Sequence, residues 1–60
     1  MMTDKERTLK FIELQRKMNL TNREMGQLFG VTKDAVAAWR YGRYPIPSIK
    51  LEWLINYCKK

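Results

Sequence analysis

The sequence predicts an all-α fold, a compact bundle of four or five short helices in a single domain over residues 1–60. Three observations predict it. Apolar residues recur at helical spacing in several short stretches. Residues that favour helix starts precede those stretches, and residues that end helices separate them. The separating positions are Asn19, Gly30, Gly42, Pro45 and Pro47.

The first helix is predicted to run from Asp4 to Met18. Thr3 and Glu6 have the spacing of a capping box, in which each side chain accepts a hydrogen bond from the other residue's backbone N–H. Asn19 readily adopts the left-handed conformation that stops a helix. The predicted apolar stripe consists of Phe11, Leu14 and Met18, and Leu9 and Ile12 form a smaller patch beside it.

A second helix is predicted from Asn22 to Phe29, with Thr21 and Glu24 as its capping box. Gly26 lies inside this helix, where glycine costs about 1 kcal/mol relative to alanine. Its presence indicates that another helix approaches too closely for a side chain. Gly30 then supplies a left-handed residue for a tight turn. The apolar stripe is Met25, Leu28 and Phe29.

The third helix is predicted from Lys33 to about Tyr41, with Thr32 as its N-cap and Gly42 at its end. Val31, before the cap, offers an apolar anchor. Helical spacing divides the side chains between two faces. Val36 and Trp39 are predicted to point inward, and Asp34, Ala37, Ala38 and Tyr41 share another face.

Residues 43–47 are predicted to be extended, because two prolines remove backbone donors and disfavour helix in the residues before them. Ser48 is predicted to cap a C-terminal helix that runs from about Ile49 to Lys59, so that the element with its cap covers about residues 48–59. Its inner stripe is Leu51, Leu54, Ile55 and Cys58. Trp53 and Tyr57 lie off that stripe, so they either cover the edge of the core or form a self-association surface.

The charge is strongly positive, with 12 Lys and Arg against 6 Asp and Glu, a net charge of +6 and a pI near 9.8. Such a charge on a small domain favours a polyanionic partner, with nucleic acid ahead of an anionic membrane surface. Solubility alone is the third explanation. Charge by itself does not decide among them.

Composition argues against several other classes of protein. The chain has no His and a single cysteine, Cys58, which leaves no nucleophile–base set, so we expect no enzyme and no metal or other cofactor. One cysteine cannot form an intramolecular disulfide, which fits a reducing cytoplasm. No apolar run approaches a membrane span, and the charged residues 4–7 lack the apolar core of a signal peptide.

Residues 20–42 read LTNREMGQLFGVTKDAVAAWRYG. This segment resembles the helix-turn-helix of the lambda-repressor-like proteins, the Cro and phage-repressor family, whose pattern runs roughly LTQxELAxxLGVSxxxVSxWExG. The Pro-Ile-Pro stretch and the first helix also resemble members of that family. The resemblance therefore covers nearly the whole chain, with the helix-turn-helix at about residues 21–41.

The resemblance implies that the third helix enters the DNA major groove with its N-terminal residues on base edges. Carried over by position, it implies base contacts by Lys33, Asp34, Ala37 and Ala38. It implies contacts with the sugar-phosphate backbone of the DNA by Asn22, Thr32, Tyr41, Arg43 and Tyr44. The chemistry agrees, since Lys can donate to guanine, Asp can accept from cytosine N4, and Ala can touch thymine methyls.

Some of these positions have a plainer explanation. Asp34 lies in the first turn of a helix, where a carboxylate is favourable without touching DNA. Tyr41, Arg43 and Tyr44 can instead form a solvated turn, although phosphate contact is the favoured interpretation. The chain also departs from the family at Gln15 and Arg40, where members often carry an Arg–Glu ion pair. Arg40 is then expected to pair with Glu13 or Gln15, or to reach a phosphate.

The function expected from the resemblance is transcriptional regulation by a Cro-like phage or prophage repressor. It would bind a pseudo-palindromic operator as a homodimer, with Trp53 and Tyr57 as its dimer surface and no small-molecule ligand. The alternative is a protein-interaction module of the same fold, such as an antitoxin or anti-repressor. Loss of affinity for random duplex DNA with added salt would distinguish the first from the second.

Overall fold

Four helices account for most of residues 2–59, the part of the chain that the computed structural model describes. No strand occurs among these residues, and their Cα radius of gyration is 10.3 Å. The predicted all-α fold is therefore confirmed, with four helices rather than five in this range. The helices are α1 (Asp4–Met18), α2 (Asn22–Phe29), α3 (Lys33–Tyr41) and α4 (Ser48–Cys58).

Both predicted capping boxes are present. The hydroxyls of Thr3 and Thr21 accept from the backbone N–H groups of Glu6 and Glu24 at 3.2 and 3.1 Å. The two carboxylates accept in return from the threonine N–H groups at 3.1 and 2.9 Å. Each box satisfies two backbone donors that would otherwise lack partners, which fixes where α1 and α2 begin.

The close approach predicted at Gly26 is also confirmed. A Cβ on this residue would lie 2.6 Å from the carbonyl oxygen of Val31 and 3.2 Å from the carbonyl carbon of Thr32. The contacting segment is the turn that leads into α3, and Gly30 within it has a left-handed φ of 73°. Glycine at position 26 therefore sets how closely α2 and α3 can pack.

The start of α4 differs from the prediction. Ser48 is the first helical residue rather than the cap, and Pro47 occupies the N-cap position without any side-chain cap. Pro47 is extended, with φ −56° and ψ 138°, and its carbonyl accepts from the N–H of Leu51 at 3.0 Å. The rigid proline ring thus fixes the chain direction one residue before Ser48.

The core contains side chains from all four helices; α3 and α4 both pack on α1, and α2 packs mainly on α3. The predicted inward residues Val36 and Trp39 are buried. Ile46, in the segment between the prolines, is completely buried, although the sequence predicted only an extended segment there. The buried apolar set is Phe11, Leu14, Met25, Val36, Trp39, Ile46, Leu51 and Leu54.

Candidate nucleic-acid interface

One face of α3 lines a groove that is open to solvent. Asp34, Ala37, Ala38 and Tyr41, predicted to share a face, line one shallow groove together with Arg43. Ala37 and Ala38, both half-buried, form the floor of the groove. Its edges carry the carboxylate of Asp34, the guanidinium of Arg43 and the phenol of Tyr41. Small residues at its centre allow another molecule to approach the helix backbone closely.

Lys33 and Thr32 lie at the N-terminal end of this face, and both are exposed. The Thr32 hydroxyl accepts from the N–H of Ala35 at 3.2 Å, which confirms it as the N-cap of α3. Its own proton remains available for donation. The third helical position here is Ala35 rather than Glu, so no carboxylate closes back over the cap as in α1 and α2.

The other end of the face is shaped by Gly42. Its φ of 78° is left-handed, and it reverses the chain so that the N–H of Arg43 donates to the carbonyl of Ala38 at 3.0 Å. This arrangement is the C-terminal motif that glycine favours. It holds Arg43 beside the groove, with Tyr41 81% exposed and Tyr44 also exposed.

Asn22 is the remaining residue that was predicted to contact the DNA backbone. It is the first residue of α2 and is half-buried. Its side-chain oxygen accepts from Nε2 of Gln15 at 2.9 Å. Gln15 is only 1% exposed, and the same Nε2 donates to the carbonyl of Leu20 at 3.1 Å. The sequence does not predict this burial, because the position stands out only as a departure from the Arg–Glu ion pair of lambda-repressor-like proteins.

Neither of the protein partners expected for Arg40 is engaged with it. Glu13 pairs with Lys10 at 3.8 Å, and the Gln15 amide is directed to Leu20 and Asn22. Arg40 itself is half-buried in the last turn of α3. Its guanidinium therefore adds positive charge near the C-terminal end of α3.

The capping acids are held in their charged form. The pKa of Glu24 is lowered from its ordinary value of 4.5, first by the hydrogen bond from the Thr21 backbone N–H and then by the Thr21 hydroxyl. Glu6 has its pKa lowered from 4.5 in the same way by Thr3. The caps of α1 and α2 are therefore fully formed at neutral pH.

A second surface is formed by aromatic side chains of α4. Trp53 and Tyr57 stack with ring centroids 5.2 Å apart, and Trp53 packs on Phe29 at 5.4 Å. They remain 45% and 42% exposed, so they cover the edge of the core on one side and meet solvent on the other. Ile49, one turn before Trp53, is 79% exposed and was missed, although its spacing of four residues indicates the same face.

None of the helices in residues 2–59 is long and apolar enough to cross a membrane. In the same range, no group of three or more His, Cys, Asp or Glu side chains is placed to hold a metal ion.

Comparisons with protein-family models, with curated proteins and with solved structures find no significant match.

Proposed function

We propose that this chain is a sequence-specific double-stranded DNA-binding regulator of transcription, a Cro-like repressor with a lambda-repressor-like helix-turn-helix formed by α2 and α3. It would act on DNA in the bacterial cytoplasm. It would lay α3 in the major groove of an operator and block access of the polymerase. The proposal assigns the chain no catalytic activity and no cofactor.

The observation that carries the proposal is the open face of α3. An α-helix fits the major groove of B-form DNA, where base edges are exposed. The groove over Ala37 and Ala38 has no bulky side chain at its centre, so thymine methyl groups can approach it. Lys33 and Asp34 are exposed at the N-terminal end, the part of a recognition helix that meets base edges.

Phosphate contacts are assigned to groups on either side of that face. Thr32 has a free hydroxyl proton at the start of α3, and Arg43 is fixed at its end by the Gly42 turn. Tyr41 and Tyr44 are exposed beside Arg43, where phenol hydroxyls can donate to phosphate. Asn22 lies at the start of α2. The net charge of +6 favours binding of the protein to the negatively charged phosphates of DNA.

The proposed homodimer forms through the aromatic surface of α4. Ile49, Trp53 and Tyr57 are spaced by four residues, so they form one row along the helix. A row on a straight helix can pack against its own copy about a two-fold axis, which is the usual symmetry of small homodimers. Such a dimer would match the two halves of a pseudo-palindromic operator.

Binding to a random-sequence duplex at increasing salt tests the DNA-binding proposal directly. Affinity should be measurable at low salt and should fall with a log–log slope of about −0.9 per neutralised phosphate. Absence of binding at low salt would exclude the proposal. The exposed aromatic surface would then favour the second candidate, a protein-interaction module of the antitoxin or anti-repressor kind.

A further inference from the structure

Gln15 is a buried polar side chain in a core that is otherwise apolar among residues 2–59. It lies on α1, but its side-chain hydrogen bonds lead to Leu20, just before α2, and to Asn22, the first residue of α2. Its Nε2 donates to the Leu20 carbonyl at 3.1 Å and to Oδ1 of Asn22 at 2.9 Å. The backbone carbonyl of Gln15 also accepts from the Leu20 N–H at 3.3 Å.

These bonds fix the direction in which the Asn22 amide points. A backbone carbonyl only accepts, so the Leu20 oxygen requires the NH2 group of Gln15 on its side. The two hydrogens of that NH2 group are then used by Leu20 and Asn22. Because the second hydrogen must meet an acceptor, the oxygen of Asn22 faces Gln15 and its own NH2 group faces away.

The stability of the fold does not explain why this position is an amide. No protein donor within residues 2–59 reaches the buried Oε1 of Gln15. A buried acceptor without a partner offsets much of what the two Nε2 hydrogen bonds contribute. A side chain of the same length without polar atoms would remove this unpaired acceptor, but it would also take the side-chain donor away from the Leu20 carbonyl and from Asn22.

We propose that Gln15 is a positioning residue, which orients Asn22 so that its NH2 group donates to a DNA phosphate. This inference rests on the proposed function. The Leu20 carbonyl fixes which side of the Gln15 amide carries the NH2 group, and that NH2 group in turn fixes which side of the Asn22 amide carries the oxygen. Without Gln15, the Asn22 amide can turn its oxygen toward the phosphate, where two acceptors repel each other.

A double-mutant cycle between Gln15→Met and Asn22→Ala tests the proposal. The measured quantity is the dissociation constant for a random-sequence duplex of about 20 base pairs, enough for two half-sites one helical turn apart. Asn22→Ala should weaken binding about tenfold, as expected for loss of one hydrogen bond to a charged group. Gln15→Met should weaken binding by a smaller factor, because an Asn22 amide that is no longer held can still turn its NH2 group to the phosphate. The double variant should be no weaker than Asn22→Ala alone, because Gln15 acts only through Asn22.

A matched control is Gln27→Met, the same chemical change at an exposed position of α2. It should leave both the unfolding temperature and the dissociation constant unchanged. Gln15→Met should lower the unfolding temperature only modestly, because it removes the unpaired Oε1 together with the two Nε2 hydrogen bonds, and it should remain folded under the binding conditions. If Gln15→Met weakens binding equally with and without Asn22→Ala, Gln15 is merely structural and the positioning proposal is wrong.

NMR spectroscopy of the unmodified protein provides a test that needs no variant. Both Gln15 side-chain N–H resonances should show slow exchange with solvent in the free protein. Addition of the duplex should shift the Asn22 side-chain NH2 resonances and leave those of Gln15 protected. Unshifted Asn22 NH2 resonances in a protein that does bind the duplex would refute the positioning role alone. A wild type that binds no duplex would refute it together with the proposed function.

Discussion

Gly26 and Val31 meet backbone to backbone across the turn between α2 and α3. The N–H of Val31 donates to the Gly26 carbonyl at 2.8 Å, and the Val31 carbonyl oxygen lies 2.6 Å from where a Cβ on Gly26 would be. The two helices are therefore joined at a point with no space for any side chain. This contact determines the angle at which α3 is presented.

Gly26→Ala is predicted to destabilise the protein, although alanine is the better helix former. The helix gains about 1 kcal/mol from the substitution. The clash is with backbone, which cannot rotate away, and overpacking of this kind typically costs about 1–3 kcal/mol. Because the 2.6 Å contact is with backbone, the cost should lie near the upper end of that range, and the free energy of unfolding from urea denaturation should fall by about 2 kcal/mol net.

The matched control for that substitution is Gln27→Ala, at the neighbouring exposed position of the same helix. It should change the free energy of unfolding by no more than about 0.5 kcal/mol. A Gly26→Ala variant as stable as the wild type would show that α2 and α3 can separate without cost, contrary to the packing described.

Lys33→Ala is predicted to relax sequence preference at one base position of the bound DNA. Lys33 is exposed at the N-terminal end of α3, where it can donate to guanine O6 and N7. Discrimination of about 1–3 kcal/mol should be lost at that position alone. Competition assays with single-base variants of a selected binding sequence measure this directly.

Arg43→Ala serves as the contrast to Lys33→Ala, since both remove one exposed positive charge. A phosphate contact carries no sequence information, so Arg43→Ala should weaken all sequences alike and reduce the salt slope by about 1. If both variants reduce affinity uniformly, the assignment of Lys33 to the bases is wrong.

The helix bounds could be predicted from the sequence because they depend on local hydrogen bonds. Thr21 and Glu24 meet across three residues, and the left-handed φ of 59° at Asn19 is a property of that residue and its neighbours. The burial of Ile46 and of Gln15 depends on contacts between separate segments of the chain, so it could not be predicted in this way. Ile46 is buried because the whole bundle folds over it, and the hydrogen bonds of Gln15 form only when α1 and the start of α2 pack.

The candidate site was predictable to a similar degree. Spacing alone placed Ala37 and Ala38 on one face with Asp34 and Tyr41, and the groove over α3 brings these four together. The predicted cap at Ser48 failed because the rigid Pro47 begins the helix without a side-chain acceptor. Ile49 was missed because its exposure depends on how α4 is turned against the core.

The two capping boxes predict a loss of stability in acid. Glu6 and Glu24 have folded-state pKa values below the ordinary 4.5, because each accepts a hydrogen bond from a threonine backbone N–H. Their stabilisation is therefore full above about pH 5 and is lost as the pH falls through the lowered folded values. The double variant Glu6→Gln, Glu24→Gln should have a lower unfolding temperature than the wild type at neutral pH, and this difference should vanish in acid.

The single variants provide the internal control for this experiment. Glu6 and Glu24 cap different helices, so their effects on unfolding temperature should add. A difference between wild type and double variant that persists unchanged to low pH would show that the carboxylate charge does not contribute to capping.

Ile49→Glu is predicted to abolish pairing of two copies while preserving the fold. The side chain is 79% exposed, so the change should alter the free energy of unfolding by no more than about 0.5 kcal/mol. The new charge lies in the row with Trp53 and Tyr57 and would meet its own copy across the two-fold axis. Cooperative binding to a duplex with two half-sites should be lost, and binding to a single half-site should be weakened only slightly.

Ser48→Glu is the matched control, because it introduces the same charge at an exposed position on the other side of α4. It should leave cooperativity intact. Equal loss of cooperativity in both variants would indicate a general effect of charge, and loss in neither would remove the α4 row from the dimer assignment.

The central claim is that α3 reads a DNA sequence, and selection of bound sequences from a random duplex pool tests it most directly. The account predicts an enriched motif with two symmetric half-sites whose centres are about 10 base pairs apart. A pool that shows no enrichment after repeated rounds, from a protein that is folded and monodisperse, would contradict it.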